Sequence, residues 1–292
     1  MKQDLIDFHL HSHYSDGYLS PKELAKKAAI LGLKVLSLTD HQTVKGIEEM
    51  NFWGKKYGIK NIPGVEIYTH FKGKHLHLLG YNFDWRNKKL NRVLEKLQTD
   101  RWPQIRKAIN LLNQEKWLLK IEDILAKPTI YPDMSHLANC LKQYPKNWKR
   151  IKKDFHLRPG QILTLSEIIV RYFFKNGRSI CPFEEILTSQ AIKLIHQAGG
   201  KAVLAHPSQQ LHWSDDQIIW QIKKMGLDGL EAISGHHSWL QVEHYQKLAK
   251  EMKLFITAGS DYHGDLPEEW GFSARSQWDY FGARNNLIKS FN

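Results

Sequence analysis

The sequence has 292 residues, enough for one barrel-sized domain or for a domain with an insertion. Its 42 lysines and arginines outnumber its 30 aspartates and glutamates and give a formal net charge of +12, which favours polyanionic partners, although a basic proteome would give the same balance. No apolar run reaches the length of a membrane span, and the first strand begins too early to leave room for a signal peptide, so we expect no membrane partner. Cys140 and Cys181 form no C-x-x-C pair, so we expect a reducing, cytoplasmic location rather than a disulfide framework or a zinc ribbon.

The first predicted strand carries two histidines on one face. Residues 5–8 are mostly apolar, and His9 and His11 follow two positions apart, which places both side chains on the same side of a strand. Neutral imidazoles are good ligands for a divalent transition metal. Asp16 follows on a predicted turn and can reach the same ion. This stretch therefore predicts part of a metal site.

Polar residues also lie at or near the ends of most later apolar strands. In chain order they are Asp40 and His41, Glu66, His75 and His77, His206, Glu231 with His236 and His237, and Asp261 with His263. A (β/α) barrel gathers its active site at the ends of its strands. Capping aspartates and satisfied core histidines explain any one of these positions but not the whole series, so we interpret the series as a metal site.

The order of the predicted elements indicates an α/β fold interrupted by helices. Up to residue 85 the pattern is βαβαββ, and alternation of strand and helix resumes near residue 180. Between these parts the chain has helical periods, no convincing strand and a dense basic run at residues 146–153. We therefore predict a catalytic barrel made of residues 1–85 and 179–292, with a helical insertion subdomain of residues 86–178.

The motifs resemble, in order and spacing, those of the PHP (polymerase and histidinol phosphatase) phosphoesterases. The matching motifs are Asp-x-His-x-His-x-x-x-Ser-Asp-Gly from Asp7 onward, Thr-Asp-His, a single Glu, His-x-Leu-Gly, Ala-His-Pro and Gly-Ser-Asp-x-His-Gly. The resemblance covers residues 4–85 and 179–264. It implies a distorted (β/α)7-type barrel with an inserted helical subdomain.

The resemblance also implies nine metal ligands and, for family members with the full set, a trinuclear centre. The implied ligands are His9, His11, Asp16, His41, Glu66, His77, His206, Asp261 and His263. Six imidazoles and three carboxylates are too many for one ion and include no thiolate. We therefore expect two to three divalent transition metals, with manganese first and iron or zinc as alternatives. Asp40 is expected to orient a neighbouring histidine rather than to bind metal.

The predicted centre indicates a hydrolytic reaction at phosphorus. A hydroxide that bridges the metals is the expected nucleophile, because metal ions lower the pKa of bound water. His206 or His236 is the candidate to protonate the leaving group. The positive charge of three divalent ions exceeds the negative charge of three carboxylates. The excess positive charge suits a phosphate dianion better than a neutral amide.

Substrate contacts are expected from the insertion and its borders. Arg101 lies at a predicted helix start, where phosphate binds well, and Arg178 lies where the chain re-enters the barrel. His136 resembles a family position within a Pro-His-x-Ala segment. Family members that hydrolyse nucleoside 3′,5′-bisphosphates, or trim short RNA from the 5′ end, carry an arginine just before this Pro-His segment, where this chain has Met134. Solvated surface charge is the alternative explanation for both arginines.

The predicted function is that of a metal-dependent phosphoric ester hydrolase. Its expected substrates are phosphorylated nucleotides, such as nucleoside 3′,5′-bisphosphates, or the 5′ end of short RNA or DNA, which makes it a phosphatase or an exonuclease. The alternatives are a small-metabolite phosphatase such as a histidinol phosphatase, a nucleic-acid-binding PHP module with little catalysis, and a metal-dependent amidohydrolase. The net charge favours the nucleotide hypothesis, and no motif indicates an obligate protein partner.

Overall fold

The computed structural model describes residues 5–126, 130–158, 161, 163, 165–175 and 178–264. The strands in this part of the chain are β1 (Leu5–Leu10), β2 (Leu33–Leu38), β3 (Lys60–Asn61), β4 (Gly64–Phe71), β5 (Lys74–Tyr81), β6 (Phe174–Lys175), β7 (Arg178–Ser179), β8 (Ile186–Leu187), β9 (Lys201–Leu204), β10 (Gly229–Ser234) and β11 (Phe255–Gly259). The helices are α1 (Pro21–Ile30), α2 (Ile47–Tyr57), α3 (Lys88–Leu97), α4 (Trp102–Gln114), α5 (Ile121–Leu125), α6 (Met134–Leu141), α7 (Pro145–Asp154), α8 (Leu165–Phe173), α9 (Thr188–Gln197), α10 (Asp216–Lys224) and α11 (Trp239–Glu251).

Two sheets are linked by two isolated bridges. The first has the strand order β1-β2-β3, and the second has the order β11-β10-β9-β5-β4-β8. In the second sheet β5 is antiparallel to β4 and β9, and the remaining pairs are parallel. Isolated bridges join Leu10 to Tyr262 and His41 to Glu66, which links β1 to the end of β11 and the end of β2 to β4. The predicted α/β fold is confirmed, and these bridges are consistent with a distorted barrel.

The start of α1 shows how local sequence fixes the frame around the first loop. The side chain of Ser20 accepts a hydrogen bond from the N–H of Glu23, and the Glu23 carboxylate accepts one from the N–H of Ser20 at 2.8 Å. This capping box, followed by Pro21, begins the helix.

The buried apolar residues form separate clusters, one between the strands and the helices that cover them and another among helices α4 to α8. Strands β4, β5 and β9 pack against α9, for example through Val65, Leu78 and Ile195, and α3 adds its buried face to this cluster. Helices α4 to α8 bury a second cluster that includes Trp117 and Phe173. The first helix of the predicted insertion therefore packs on the strands, while the later helices share a core of their own. The proposed division of the chain into two units stays a prediction.

Among the residues that the structure describes, no helix combines the length and the apolar character needed to cross a membrane.

Candidate metal centre

The polar residues singled out in the sequence converge in one place, on or just after the strands. His9 lies on β1, His41 follows β2, Glu66 lies on β4, His206 follows β9 and Asp261 follows β11. All except Asp261, which is partly exposed, are buried. β9, β10 and β11 are parallel neighbours, and β5 is antiparallel to both β4 and β9, so β4 runs in the same direction as these strands. The residues that follow β9 and β11 therefore lie at one end of the sheet, and Glu66, near the start of β4, reaches the same cluster.

The described residues form four groups in which His, Asp and Glu ligand atoms lie within 4.8 Å of one another. These groups are His11, Asp16, His41 and His263; His9, His11, Glu66 and Asp261; His9, His206 and Glu231; and Glu66, His77 and His206. Each of the nine predicted ligands belongs to at least one group. His236 belongs to none of them, although its Nε2 atom lies 2.7 Å from Oδ2 of Asp261.

Glu66 lies at the centre of the cluster. Its carboxylate oxygens have imidazole nitrogens of five histidines between 2.9 and 3.3 Å away. These histidines are His9, His11, His41, His77 and His206. Burial alone would raise the pKa of Glu66, but the charges of His9, His41 and His77 outweigh burial and hold that pKa well below its usual value. A carboxylate that is ionised and ringed by nitrogen donors is a suitable bridge between metal ions.

Asp261 is the second carboxylate that several histidines share. Its Oδ1 atom lies 3.0 Å from Nε2 of His11 and 3.2 Å from Nε2 of His9. Its backbone φ angle is 57°, in the left-handed region that non-glycine residues rarely occupy. The N–H of Asp261 donates to the carbonyl oxygen of His9 at 2.8 Å, which fixes this conformation beside β1. Strained backbone of this kind concentrates at functional sites.

Glu231 belongs to the cluster, although the nine ligands implied by the sequence motifs do not include it. It lies on β10 and is fully buried. Its carboxylate accepts from the backbone N–H of His206 at 2.8 Å and lies 3.0 Å from Nδ1 of His9. An N–H at Nδ1 of His9 would donate a hydrogen bond to Glu231. The Nε2 atom, on the side of Glu66 and Asp261, would then be free to bind an ion. The only sequence signal was an acidic residue inside an otherwise apolar strand.

Asp40 does not have the role that the sequence suggested. Its carboxylate accepts from the N–H and the hydroxyl of Ser12, both at 2.7 Å, and from the hydroxyl of Ser15 at 2.8 Å. It therefore holds the loop between β1 and Asp16 rather than orienting a histidine. The prediction that it orients a neighbouring histidine is wrong, because its closest partners are the serines of the first motif.

The side chains of the cluster do not satisfy one another completely. Nδ1 of His11, Oδ1 of Asp16 and Nδ1 of His41 are buried and have no hydrogen-bond partner among the described residues. Buried polar atoms are costly unless they are hydrogen-bonded or coordinate a metal. All three atoms belong to residues of the group that His263 completes, and their donor types suit a divalent transition metal. The residues present therefore fit the metal centre that the motifs imply.

The predicted substrate residues are placed differently from one another. Arg101 is the N-cap residue of α4, as predicted, but it is only 2% exposed. Its guanidinium donates to the carbonyl oxygens of Pro132, Pro182 and Cys181. The side chain of Arg178 lies outside the described residues, and its backbone forms part of β7.

His136 is buried beside the first loop of the candidate centre. Its Nδ1 atom lies 2.9 Å from Oδ1 of Asp133, and its Nε2 atom is buried with no hydrogen-bond partner among the described residues. Its ring lies 5.2 Å from the ring of Tyr18, whose N–H donates to the carbonyl oxygen of His263. The helical part of the chain therefore borders the cluster directly.

The fold and the cluster together define a PHP-domain protein, and comparison with known proteins agrees. Residues 7–156 match the family model described as the PHP domain. The chain belongs to this family of phosphoesterases.

Individual relatives are similar to this chain over most of its length. The chain is 32% identical over 266 residues to a 5'-3' exoribonuclease of Haemophilus influenzae, with 88% of this chain and 89% of the relative covered. It is 24% identical to a 3',5'-nucleoside bisphosphate phosphatase of Chromobacterium violaceum, with 91% and 89% covered. A solved structure from Bifidobacterium adolescentis, named for a metal-dependent phosphoesterase, covers 100% of this chain and 96% of its own at a TM-score of 0.76 and 22% identity. That structural likeness shows the fold.

Proposed function

We propose that this protein is a metal-dependent phosphoesterase that acts on nucleoside 3′,5′-bisphosphates or on the 5′ end of short RNA or DNA. The observation that carries the proposal is the convergence of nine candidate ligands around Glu66 and Asp261. The relatives named as an exoribonuclease and as a bisphosphate phosphatase support the nucleotide class of substrate.

In this proposal the nine residues hold two to three divalent ions, with manganese expected first and iron or zinc as alternatives. The residues are His9, His11, Asp16, His41, Glu66, His77, His206, Asp261 and His263. Bound ions would polarise the phosphoryl oxygens, lower the pKa of a water and neutralise the leaving oxygen. Glu66, shared by two of the groups, is the natural bridge, and Glu231 keeps the Nε2 atom of His9 available for an ion.

Of the two predicted proton donors, His236 is better placed than His206. The side chain of His206 is 2% exposed and its Nε2 atom points at Glu66, whereas the side chain of His236 is 19% exposed and lies outside the candidate ligand groups. Burial lowers the pKa of His236, and its hydrogen bond to Asp261 opposes that shift. In our proposal His236 acts as an imidazolium: its Nε2–H donates to Asp261, which orients the ring, and its Nδ1–H protonates the departing oxygen.

The helical part of the chain supplies the cations proposed for the rest of the substrate. Lys146, Lys149, Lys152 and Lys153 are exposed on α7, and the only acidic residue of that helix is Asp154. Because α6 touches the first loop of the cluster through His136 and Tyr18, a second phosphate or a longer chain would leave the centre towards these helices. Arg101, His136 and Arg178 keep their predicted substrate roles as proposals. Cys140 and Cys181 are buried thiols rather than a disulfide, which fits the proposed cytoplasmic location.

A substrate panel tests the proposal. Purified protein supplied with Mn²⁺ is assayed against a nucleoside 3′,5′-bisphosphate, a 5′-phosphorylated short RNA, a nucleoside 5′-monophosphate, histidinol phosphate and an aryl phosphate. We expect the first two to give the highest kcat/KM, and elemental analysis to find two to three transition-metal ions per chain. His9→Ala should lower the metal content and abolish turnover. Preference for histidinol phosphate would refute the nucleotide substrate, and full activity of a metal-free His9→Ala protein would refute the metal centre.

A further inference from the structure

A series of adjoining rings begins inside the candidate metal centre. The ring of His11 stacks on that of His263, with centroids 4.2 Å apart, and on that of His41, with centroids 4.4 Å apart. Tyr68 of β4 also stacks on His41, with centroids 4.5 Å apart and planes inclined by 20°. The candidate ligands are therefore supported from one side by an aromatic residue.

The series of adjoining rings continues with Phe183, which lies in the return segment that leads from the helices back to the strands. Phe183 stacks on Tyr68 at 4.1 Å with planes inclined by 29°. The guanidinium carbon of Arg101 lies 4.0 Å from the centre of the Phe183 ring. A buried arginine at the start of α4 is thus connected to His41 through two aromatic rings.

His41 has a particular need for such support. Metal-binding imidazoles are usually oriented by a hydrogen bond on the nitrogen that does not bind the ion. His9 has Glu231 for this purpose, and Nδ1 of His263 lies 2.8 Å from the carbonyl oxygen of Asp261. Nδ1 of His41, like that of His11, has no hydrogen-bond partner among the described residues. Nδ1 of His41 lies 3.1 Å from Oε2 of Glu66 and its Nε2 lies 3.6 Å from Oδ2 of Asp16, and both carboxylates belong to candidate ligands. Ring stacking takes the place of the outer hydrogen bond.

Arg101 fixes the segment that carries Phe183. It donates to the carbonyl oxygens of Cys181 and Pro182, the two residues before Phe183, and to that of Pro132 on a separate loop. On the other side of Phe183, the carbonyl oxygen of Glu184 accepts from the side chain of Gln42 at 2.7 Å. Gln42 follows His41 directly, so the return segment is tied to the His41 loop by a hydrogen bond as well as by stacking.

We propose that Arg101, Phe183 and Tyr68 are positioning residues that hold the ring of His41 in the orientation needed to bind metal. Arg101 does this through Phe183, since its donors are directed at the backbone of the return segment. The inference rests on the proposed metal centre and deepens it: the helical part of the chain sets the metal affinity of the group that contains His41, besides supplying cations for the substrate.

Phe183→Leu removes the stacked ring while keeping an apolar side chain of similar reach. Phe155→Leu is the matched control, because Phe155 is also a half-buried aromatic residue but contacts Tyr172 in the helical region rather than Tyr68 beside His41. Both proteins are stripped with a chelator, and their Mn²⁺ affinities are measured by competition with a metal-binding dye. Metal-free melting temperatures are recorded in parallel.

An aromatic pair contributes about 0.5–1.5 kcal/mol beyond its buried area, so we expect Phe183→Leu to weaken Mn²⁺ binding by about two- to tenfold. Phe183→Tyr should restore the affinity, and kcat of Phe183→Leu at saturating Mn²⁺ should approach that of the wild type. Phe155→Leu should leave the affinity unchanged even if its melting temperature falls. Wild-type Mn²⁺ affinity in Phe183→Leu, or an equal loss in Phe155→Leu, would overturn the positioning role alone. A wild-type protein that binds no divalent ion would overturn the proposed metal centre with it.

Discussion

Replacing Glu231 with glutamine tests whether a carboxylate outside the predicted ligand set controls the candidate centre. The two oxygens of Glu231 serve two buried donors, Nδ1 of His9 at 3.0 Å and the backbone N–H of His206 at 2.8 Å. Glutamine offers one acceptor oxygen and one NH2 group in the same volume. One of the two donors must therefore face another donor.

We expect two separate effects of Glu231→Gln, one on the stability of the metal-free protein and one on its affinity for metal. A buried donor that loses its partner costs about 1–3 kcal/mol of folding free energy. Removal of the outer hydrogen bond of a metal-binding histidine lowers metal affinity about 10–100-fold. We therefore expect Glu231→Gln to lower both the melting temperature without metal and the Mn²⁺ affinity.

Asp228→Asn is the matched control. Asp228 is also a carboxylate with a histidine partner and a backbone donor, His196 at 2.7 Å and the N–H of Ala202 at 2.9 Å, but neither is a candidate ligand. Its variant should lose stability and keep the wild-type Mn²⁺ affinity, as measured by dye competition. If Glu231→Gln binds Mn²⁺ as tightly as Asp228→Asn does, the proposed orientation of His9 by Glu231 is refuted.

Two further predictions concern pH and salt. Burial raises the pKa of Asp228, but hydrogen bonds from Ala202, His196 and Lys201 outweigh burial and lower it. The stability that Asp228 contributes should be fully present above its unfolded-state pKa of about 3.9 and should be lost as pH falls through the lower folded-state pKa. The difference in free energy of unfolding between wild type and Asp228→Asn, measured in urea, should therefore shrink below about pH 4. We expect the double variant with alanine at Lys146 and Lys149 of α7 to bind short RNA with a weaker salt dependence. The slope of log affinity against log salt concentration should become shallower by about 0.7 for each phosphate group that these lysines neutralise. An unchanged slope would exclude both lysines from the substrate path.

The sequence was most informative where polar residues follow apolar strands. His9, Glu66 and Asp261 lie far apart in the chain, yet each was recognisable as a polar residue at or near the end of an apolar run, and the fold brings them together. This pattern indicated a metal site, and the resemblance to the PHP phosphoesterases selected the nine candidate ligands. In the structure Glu66 lies near the start of β4 rather than at a strand end. Their roles in metal binding remain proposals.

Partnerships between distant residues were not predictable from local patterns. Glu231 is 222 positions from His9, and nothing in its own strand indicates that partner. The partners of Asp40 were hidden for the same reason, since Ser12 lies 28 positions earlier. Helix α7 was visible as a basic run but not as a helix, because only Asn147 and Ile151 among its ten residues are buried. Arg101 was placed correctly at a helix start, but the carbonyl groups that surround it belong to loops 31 and 80 positions away.

The pairing of β1 with the end of β11 has a consequence for how the protein folds. Asp7 accepts from the N–H of Ser260 at 3.0 Å across 253 positions of sequence, and the same junction places Asp261 beside His9 and His11. Contacts between such distant segments carry a large loop-closure cost and slow folding, and during synthesis the earlier segments become available first. Until β11 docks on β1, the groups that need Asp261 and His263 are incomplete. We therefore expect high-affinity metal uptake to accompany the last stage of folding, and excess metal to act on the finished fold by mass action rather than as a template for its first strands.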